Sequence, residues 1–579
     1  LEDRLALNNG PVGPTVDVSQ RPGNEWNPAI AVDPTHPSHL FAVSNWDNQA
    51  STESWGNGLF AAYSTNGGAT WTSRALAAGS DGLPLAMDGG LGESPSVSWD
   101  QYGNLFLAYA GQVNGTEHAV LALSTDGGQT FKVLSSFGDL AGAESKVATA
   151  AGTVWVAFRN WDGGGLNTVH LEAAGARVTG LGQVGAFSSP DRSTANRMAL
   201  LDDLAVGPSG QAMITFHLDY VDGGQHPVTI YTALDPDGLG PAGFNGPQAV
   251  TTSNVDLDHP ILPSGWQASA NLASGLAWDQ SPGPHRGRLY LVYTDASTPY
   301  DPATNVYIRY SDDNGASWSG PIRVNQDTGG NSHFLPRIAV DPVTGWVAIS
   351  WYGPAAAPAE AYSGAQLYAT VSVSGQGLAF LPQVVVAAGP SRPVNIPSFI
   401  QWPPNTFGGN TGLAFYAGKI HPAWADDSWQ LSGNPDPAHF DIATAVVSAP
   451  WIIIPGPFGL PPVTVYLPGN PDPLSLVLAD WLYVLLTLPD PPPEWGEQSA
   501  ALTPQAPRAS PAALGPSVTA AVFLESRAGG TDGIGFSAWT AASAGGTFPP
   551  EPTMPGPDWT AAFGGQESPP EPLQPSQLI

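Results

Sequence analysis

One short apolar strand is written seven times along this chain, and no other feature limits the fold as much. Ile30-Ala31-Val32-Asp33-Pro34, Val97-Ser98-Trp99-Asp100, Val147-Ala148-Thr149, Leu204-Ala205-Val206-Gly207-Pro208, Leu276-Ala277-Trp278-Asp279, Ile338-Ala339-Val340-Asp341-Pro342 and Leu413-Ala414-Phe415 are versions of one pattern. Each is followed by a turn and a second apolar run, such as Leu40 to Val43, Leu105 to Tyr109 or Val347 to Trp351. Paired short strands recurring every several tens of residues are an array of supersecondary units, none of which can bury its apolar faces alone. Seven copies predict an all-β ring of seven mostly four-stranded blades. The last unit has a third strand at Asp441 to Val447 and then runs out, whereas Val16-Asp17-Val18-Ser19 precedes the first inner strand. Residues 16–19 are therefore expected to supply the missing outer strand and close the ring.

A second repeat is in phase with the first. Ser64-Thr65-Asn66-Gly67-Gly68-Ala69-Thr70-Trp71, Ser124-Thr125-Asp126-Gly127-Gly128-Gln129-Thr130-Phe131 and Ser311-Asp312-Asp313-Asn314-Gly315-Ala316-Ser317-Trp318 each follow a β-prone run. An Asn/Asp-Gly core suits positive φ, and Asn66, Asp126 and Asp313 can bind turn amides while Trp71, Phe131 and Trp318 pack beneath the next strand. These are structural roles. The three segments resemble the Asp-box, or BNR repeat, of the sialidase-like β-propellers. That resemblance covers residues 16–449 and implies a seven-bladed β-propeller with Asp-box turns.

Composition narrows the function classes. A formal net charge of −31, with only Lys132, Lys146 and Lys419 as lysines, argues against nucleic-acid or anionic-membrane surfaces, which need concentrated Lys and Arg. The chain has no cysteine, hence neither disulfides nor thiolate metal sites. No apolar stretch reaches the ~18 residues of a transmembrane helix. Gly 68, Pro 59 and Trp 20 suit many short strands joined by turns, and the sparse charge points to a secreted or cell-surface protein.

Residues 1–15 are an N-terminal extension, and the character changes again after residue 449. The segment 450–544 is expected to be a Pro-rich attachment module. It holds short strands at Trp451 to Ile454 and Val463 to Leu467, an apolar helix from Leu474 to Leu488 after Asp472-Pro473, and a hairpin across Val518 to Trp539. Residues 545–579 form a Pro/Gly-rich extended tail. The helix lacks a polar face, so either the propeller or another subunit must cover it.

In such a ring the loops after second strands and the entries to inner strands open on one face around the channel, and the repeated turns lie on the other. The first set carries Trp46-Asp47, Arg159-Asn160-Trp161-Asp162, Asp219, Asp295, Tyr352 and Asp426, and the second carries Glu93, Glu144, Arg197, Asp202-Asp203 and Arg337. Carboxylates interleaved with indoles suit sugars, whose hydroxyls bind carboxylates and whose apolar faces stack on rings. Each Asp alone equally suits a turn cap, and a carboxylate ring could hold Ca²⁺, although no loop shows a dedicated calcium pattern. No cofactor is required.

The sialidase resemblance implies Asp47 as acid/base, Tyr352 with Glu144 as nucleophile pair, and Arg197 and Arg337 as arms of a carboxylate clamp; Glu93, a channel-face carboxylate, is a further catalytic candidate. Trp26-Asn27-Pro28-Ala29-Ile30 holds no arginine where the first clamp residue would stand, which leaves the clamp incomplete. Two functions stay open. One is a glycan-binding or assembly protein docking through 450–579; the other is a glycoside hydrolase using channel-face carboxylates.

Overall fold

The structure, a computed structural model, describes residues 11–466 except 22, 48–57, 88–93, 139–143, 162–168, 194–198, 219–226, 257–258, 262–267, 356–363, 374–377, 396–404, 429–438, 450 and 455–462. The expected apolar helix, the 518–539 hairpin and the tail lie outside the described residues. Of the C-terminal segment, Trp451–Ile454 and Val463–Tyr466 form an antiparallel pair.

Seven antiparallel sheets follow one another along the chain, each running from an inner strand outward. Their inner strands are Asn24–Val32, Ser96–Trp99, Ser145–Ala150, Ala199–Val206, Ser274–Trp278, Phe334–Val340 and Gly412–Tyr416, so each predicted repeat is the first strand of a blade. Blade 7 is completed from the far end of the chain: Val16 pairs with Thr444 and Asp17 with Ala443. Further backbone bonds, Gly13 N to Val446 O and Val18 N to Ile442 O, extend the seam on both sides. The expected seven-bladed propeller, closed by its N-terminal strand, is what forms.

Period-two alternation explains why second strands read as unbroken apolar runs. In blade 2, Leu105 and Leu107 point into the core shared with blade 1, while Phe106 and Ala108 point into the core shared with blade 3. Both faces are therefore buried, and seven such cores fill the seven blade interfaces. Outer strands meet solvent on one side: Lys132 and Val133 on the edge of blade 2 are exposed.

The three repeated turns join third to outer strands in blades 1, 2 and 5 and share one hydrogen-bond pattern. In blade 2, Ser124 Oγ donates to Asp126 Oδ1 at 2.7 Å and accepts from Gly128 N at 2.9 Å. Asp126 then accepts from Thr130 N at 2.8 Å and Thr130 Oγ1 at 2.6 Å. Asn66 reproduces the bond to the Thr70 amide at 2.9 Å, and Asp313 the one to the Ser317 amide at 2.8 Å. Gly128 has φ +91°, and a Cβ there would lie 2.4 Å from the Phe41 ring. The turn of blade 2 is thus seated on the core of blade 1, where Phe131 also packs on Phe41 with centroids 5.4 Å apart.

The closing seam holds a buried acidic group. Asp17, Glu25 and Asp441 are each at most 4% exposed, and Ser19 Oγ donates to Asp441 Oδ1 at 3.0 Å. Asp17 Oδ2, Asp441 Oδ2 and both Glu25 oxygens have no close hydrogen-bond partner among the described residues. Burial, reinforced by mutual repulsion, pushes Asp17 up to about 6, Asp441 up to about 8 and Glu25 well above the usual carboxylate range.

Two outcomes follow from this architecture. Protons held by the seam carboxyls in the folded state are released by the unfolded chain above pH ~4, so their contribution is complete below that pH and is lost as pH rises through 6 and 8. The thermal midpoint should fall between pH 4 and 8.5, and Asp441→Asn should flatten that fall; an unchanged slope would contradict the assignment. In the repeated turn, Asp126→Ala should cost about 1 kcal/mol or more in denaturant unfolding. Asp126→Asn should cost less, because Asn66 makes the equivalent bond to its turn amide naturally.

Candidate functional site

Inner strands of neighbouring blades diverge from the channel without pairing, so the polar groups at their entries are held by side chains. Three of these entries carry a β-bulge, between Trp26 and Ala29, Leu201 and Asp203, and Phe334 and Arg337. Asn27 and Leu335, inside two of the bulges, take φ of 56° and 50°, which an ordinary side chain resists. A bulge turns the side chains beside it out of their regular alternation, and here all three sit at the channel mouth.

The middle of this mouth is a charged floor drawn from blades 3 to 6. Glu144, at the entry of blade 3, accepts from Leu201 N of blade 4 at 2.7 Å and has Arg159 Nη1 3.9 Å away. Asp202 meets His217 Nδ1 with both oxygens at 3.1 Å and receives the Ser274 hydroxyl at 2.7 Å. Asp203 accepts from Leu276 N of blade 5 at 3.0 Å and from Arg337 Nη1 at 3.4 Å. Arg337 in turn donates from Nε to Thr411 O of blade 7 at 2.9 Å. Burial raises Glu144 above the ordinary glutamate range, against the pull of Arg159.

Lys146 stands among these groups. It is 7% exposed, and its ammonium makes no hydrogen bond among the described residues. Burial first, and then the charge of Arg337, bring its ammonium down to about 8 against the opposing pull of Asp203, Glu144 and Asp202. In a chain of net charge −31, Lys146, Arg159 and Arg337 are three cations gathered at one opening.

The residues expected at the site are placed differently from one another. Glu144, Arg159 and Arg337 come together as described. Asp295 and Asp426 are at the expected loop position but cap turns: Asp295 accepts from Asn254 N and Ala296 N, and Asp426 from Ser428 N, Ser391 Oγ and Trp424 Nε1. Asp426 is fully buried, so it cannot meet a ligand. Tyr352 corrects the expectation most sharply. Its ring stacks on Phe334 at 5.4 Å inside the core between blades 6 and 7, and its hydroxyl donates to Ala425 O at 2.7 Å. The Glu144 carboxyl faces blade 4 instead, so the two do not pair.

Asp47 ends the second strand of blade 1 half-buried, and burial raises its carboxyl despite the nearby charge of His439. Trp46 beside it carries the Arg21 guanidinium 5.2 Å from its ring centroid, and Trp161 ends the second strand of blade 3 partly exposed. Glu93, Asp162, Arg197 and Asp219 lie outside the described residues. Asn66, Asp126 and Asp313 sit at the opposite ends of their blades, as expected.

Lys146 was the residue that sequence reasoning passed over. The signal was its rarity: one of three lysines stands inside an inner strand, at Ser145-Lys146-Val147.

No family model and no curated protein matches the chain. Similar solved structures include the α-L-arabinofuranosidase Arb93A from Fusarium graminearum, at 13% identity and TM-score 0.39, covering 62% of this chain and 98% of that one. They also include the Hadza microbial sialidase Hz136, at 12% identity and TM-score 0.35, covering 71% of this chain and 76% of that one. The Trypanosoma rangeli sialidase matches at 9% identity and TM-score 0.36, covering 79% of this chain and 57% of that one. No activity and no residue role is carried over from them.

With only three lysines, the ammonium environment can be read directly. In ¹³C-dimethyl NMR spectra, one of the three lysine resonances should titrate near pH 8, and its loss in Lys146→Met sets it apart from the α-amino signal. Three resonances all titrating above pH 10 would refute the placement of Lys146.

Proposed function

We propose that this chain is a carbohydrate-binding propeller, acting at the cell surface or outside it, whose glycan enters the channel over Lys146, Asp203 and Arg337. The observation that carries the reading is the set of three bulged inner-strand entries around one mouth, next to a buried lysine without a hydrogen-bond partner among the described residues. Charged groups fixed by neighbouring blades form a preorganised set of donors and acceptors, which sugar hydroxyls meet without reordering the protein. Trp161, partly exposed at the end of the second strand of blade 3, is the ring proposed for stacking. Residues 450–579 are proposed to dock the propeller on another subunit or surface.

Hydrolysis is the second reading, and Glu144 favours it. A buried carboxyl with a raised pKa, beside Asp202 in the same floor, is the pairing of proton donor and carboxylate that glycoside cleavage uses. In that case Glu144 protonates the leaving oxygen, and Asp202 or Asp47 is the second carboxylate.

Binding to a glycan array and release from an aryl-glycoside panel separate the two. Lys146→Met relieves a buried charge and should keep or raise the thermal midpoint while weakening glycan binding ~10-fold or more. If the chain is a hydrolase, Glu144→Gln should lower turnover ~100-fold or more with binding retained. Binding that Lys146→Met leaves untouched would refute the channel as the site.

A further inference from the structure

The turn between the inner and second strands of blade 1 reads Asp33-Pro34-Thr35-His36-Pro37-Ser38-His39, a donor at every third position. It lies on the face of the repeated turns, away from the charged floor. The corresponding aspartates of blades 2 and 6 are used up in capping. Asp100 takes Tyr102 N, Asn104 N and Asn104 Nδ2, and Asp341 takes Val343 N, Ala417 N, Gly418 N and the Thr344 hydroxyl. Asp33 differs. Its Oδ1 caps the turn through Thr35 N at 2.8 Å and Thr35 Oγ1 at 2.6 Å, while its Oδ2 meets only His36 Nδ1, at 3.3 Å.

The two imidazoles are stacked on each other, with centroids 5.1 Å apart and planes 17° off parallel. One donor atom from each of Asp33, His36 and His39 lies within 4.8 Å of the others, and among the described residues no other His, Cys, Asp or Glu cluster does this. Donors that share one zinc ion at ~2.0–2.2 Å are about 3.3 to 4.3 Å apart, so a small rotation of His36, whose side chain is 66% exposed, brings the set to bonding distance. The backbone needs no change. His36 N bonds Asp33 O, His39 N bonds His36 O at 2.7 Å, and Gly67 N of the first repeated turn bonds Ser38 O at 2.8 Å, while two prolines stiffen the loop.

We propose that Asp33, His36 and His39 form a binding site for one divalent transition-metal ion of the zinc, copper or nickel class. Two imidazoles and one carboxylate are too few oxygens for Ca²⁺ and match the preference of these metals. Three protein donors leave a fourth position for water or another ligand. Because the loop is bonded to the first repeated turn, the ion fastens the rim of blade 1, and its binding stabilises the folded chain by mass action.

Zn²⁺ titrated calorimetrically into the full chain tests this, with thermal melts in Zn²⁺ and in Ca²⁺. The expected result is one high-affinity equivalent that weakens ~10-fold or more in His36→Gln/His39→Gln, and a midpoint raised by Zn²⁺ in the native chain only. Without metal, the double variant should melt where the native chain does. Should it fail to fold, His36→Gln alone, at an exposed side chain, must show the same loss. Identical Zn²⁺ titrations for native and variant chains, or an equal midpoint rise in both, would overturn the assignment.

Discussion

Two backbone pairs, Val16 with Thr444 and Asp17 with Ala443, hold this fold in its closed form. Other neighbouring blades follow one another in sequence, whereas blades 1 and 7 meet only across most of the propeller, through this seam and the core beside it. A ring of blades is cooperative only when closed, because an open array leaves the apolar faces of its two end blades in water. In the closed ring those faces become the core of Ile30, Leu40, Phe60, Ala423 and Ile442. The seam also buries Asp17, Glu25 and Asp441, so the contact that completes the fold responds to proton concentration. That coupling suits an acidic protein, whose own negative charge opposes compaction as pH rises.

The channel face shows how one set of residues serves both fold and site. Inner strands have no backbone partner in the next blade, and Glu144, Asp203 and Arg337 bridge the gap by bonding the neighbour's amides and carbonyl. Removing any of them leaves a buried backbone group unsatisfied. The same bonds fix the charges around Lys146, and on the proposed function they give a glycan a preformed surface. Lys146 itself bridges nothing, and it is there that binding can be separated from stability.

The two faces of the propeller are specialised by loop chemistry rather than by framework. On the opposite face, turns satisfy their own side chains, as Ser124, Asp126 and Thr130 do, and contribute to stability without presenting free groups. The loop from Asp33 to His39 differs from these turns, because its aspartate leaves one oxygen to an imidazole.

The sequence by itself determined the blade number, the closing strand and the placement of the three repeated turns. All of these follow from local periodicity and turn chemistry, in which residues a few positions apart decide the outcome: Leu105, Phe106 and Leu107 must alternate between two cores, and Asn66 or Asp126 must cap its own turn. The site was legible only in part. Position alone could place Asp295 and Asp426 on the channel face, but not the groups that hold them: Asn254 N takes Asp295 Oδ1, and the Ser391 hydroxyl and Trp424 indole take the two oxygens of Asp426. Tyr352 was similarly lost to the core, stacked on its cross-strand partner Phe334 and packed against Phe407 from outside its blade. Tertiary structure alone decided which charges converge. Lys146, Asp203 and Arg337 come from three different blades, and their protonation depends on burial and mutual distance, which exist only once the ring has closed.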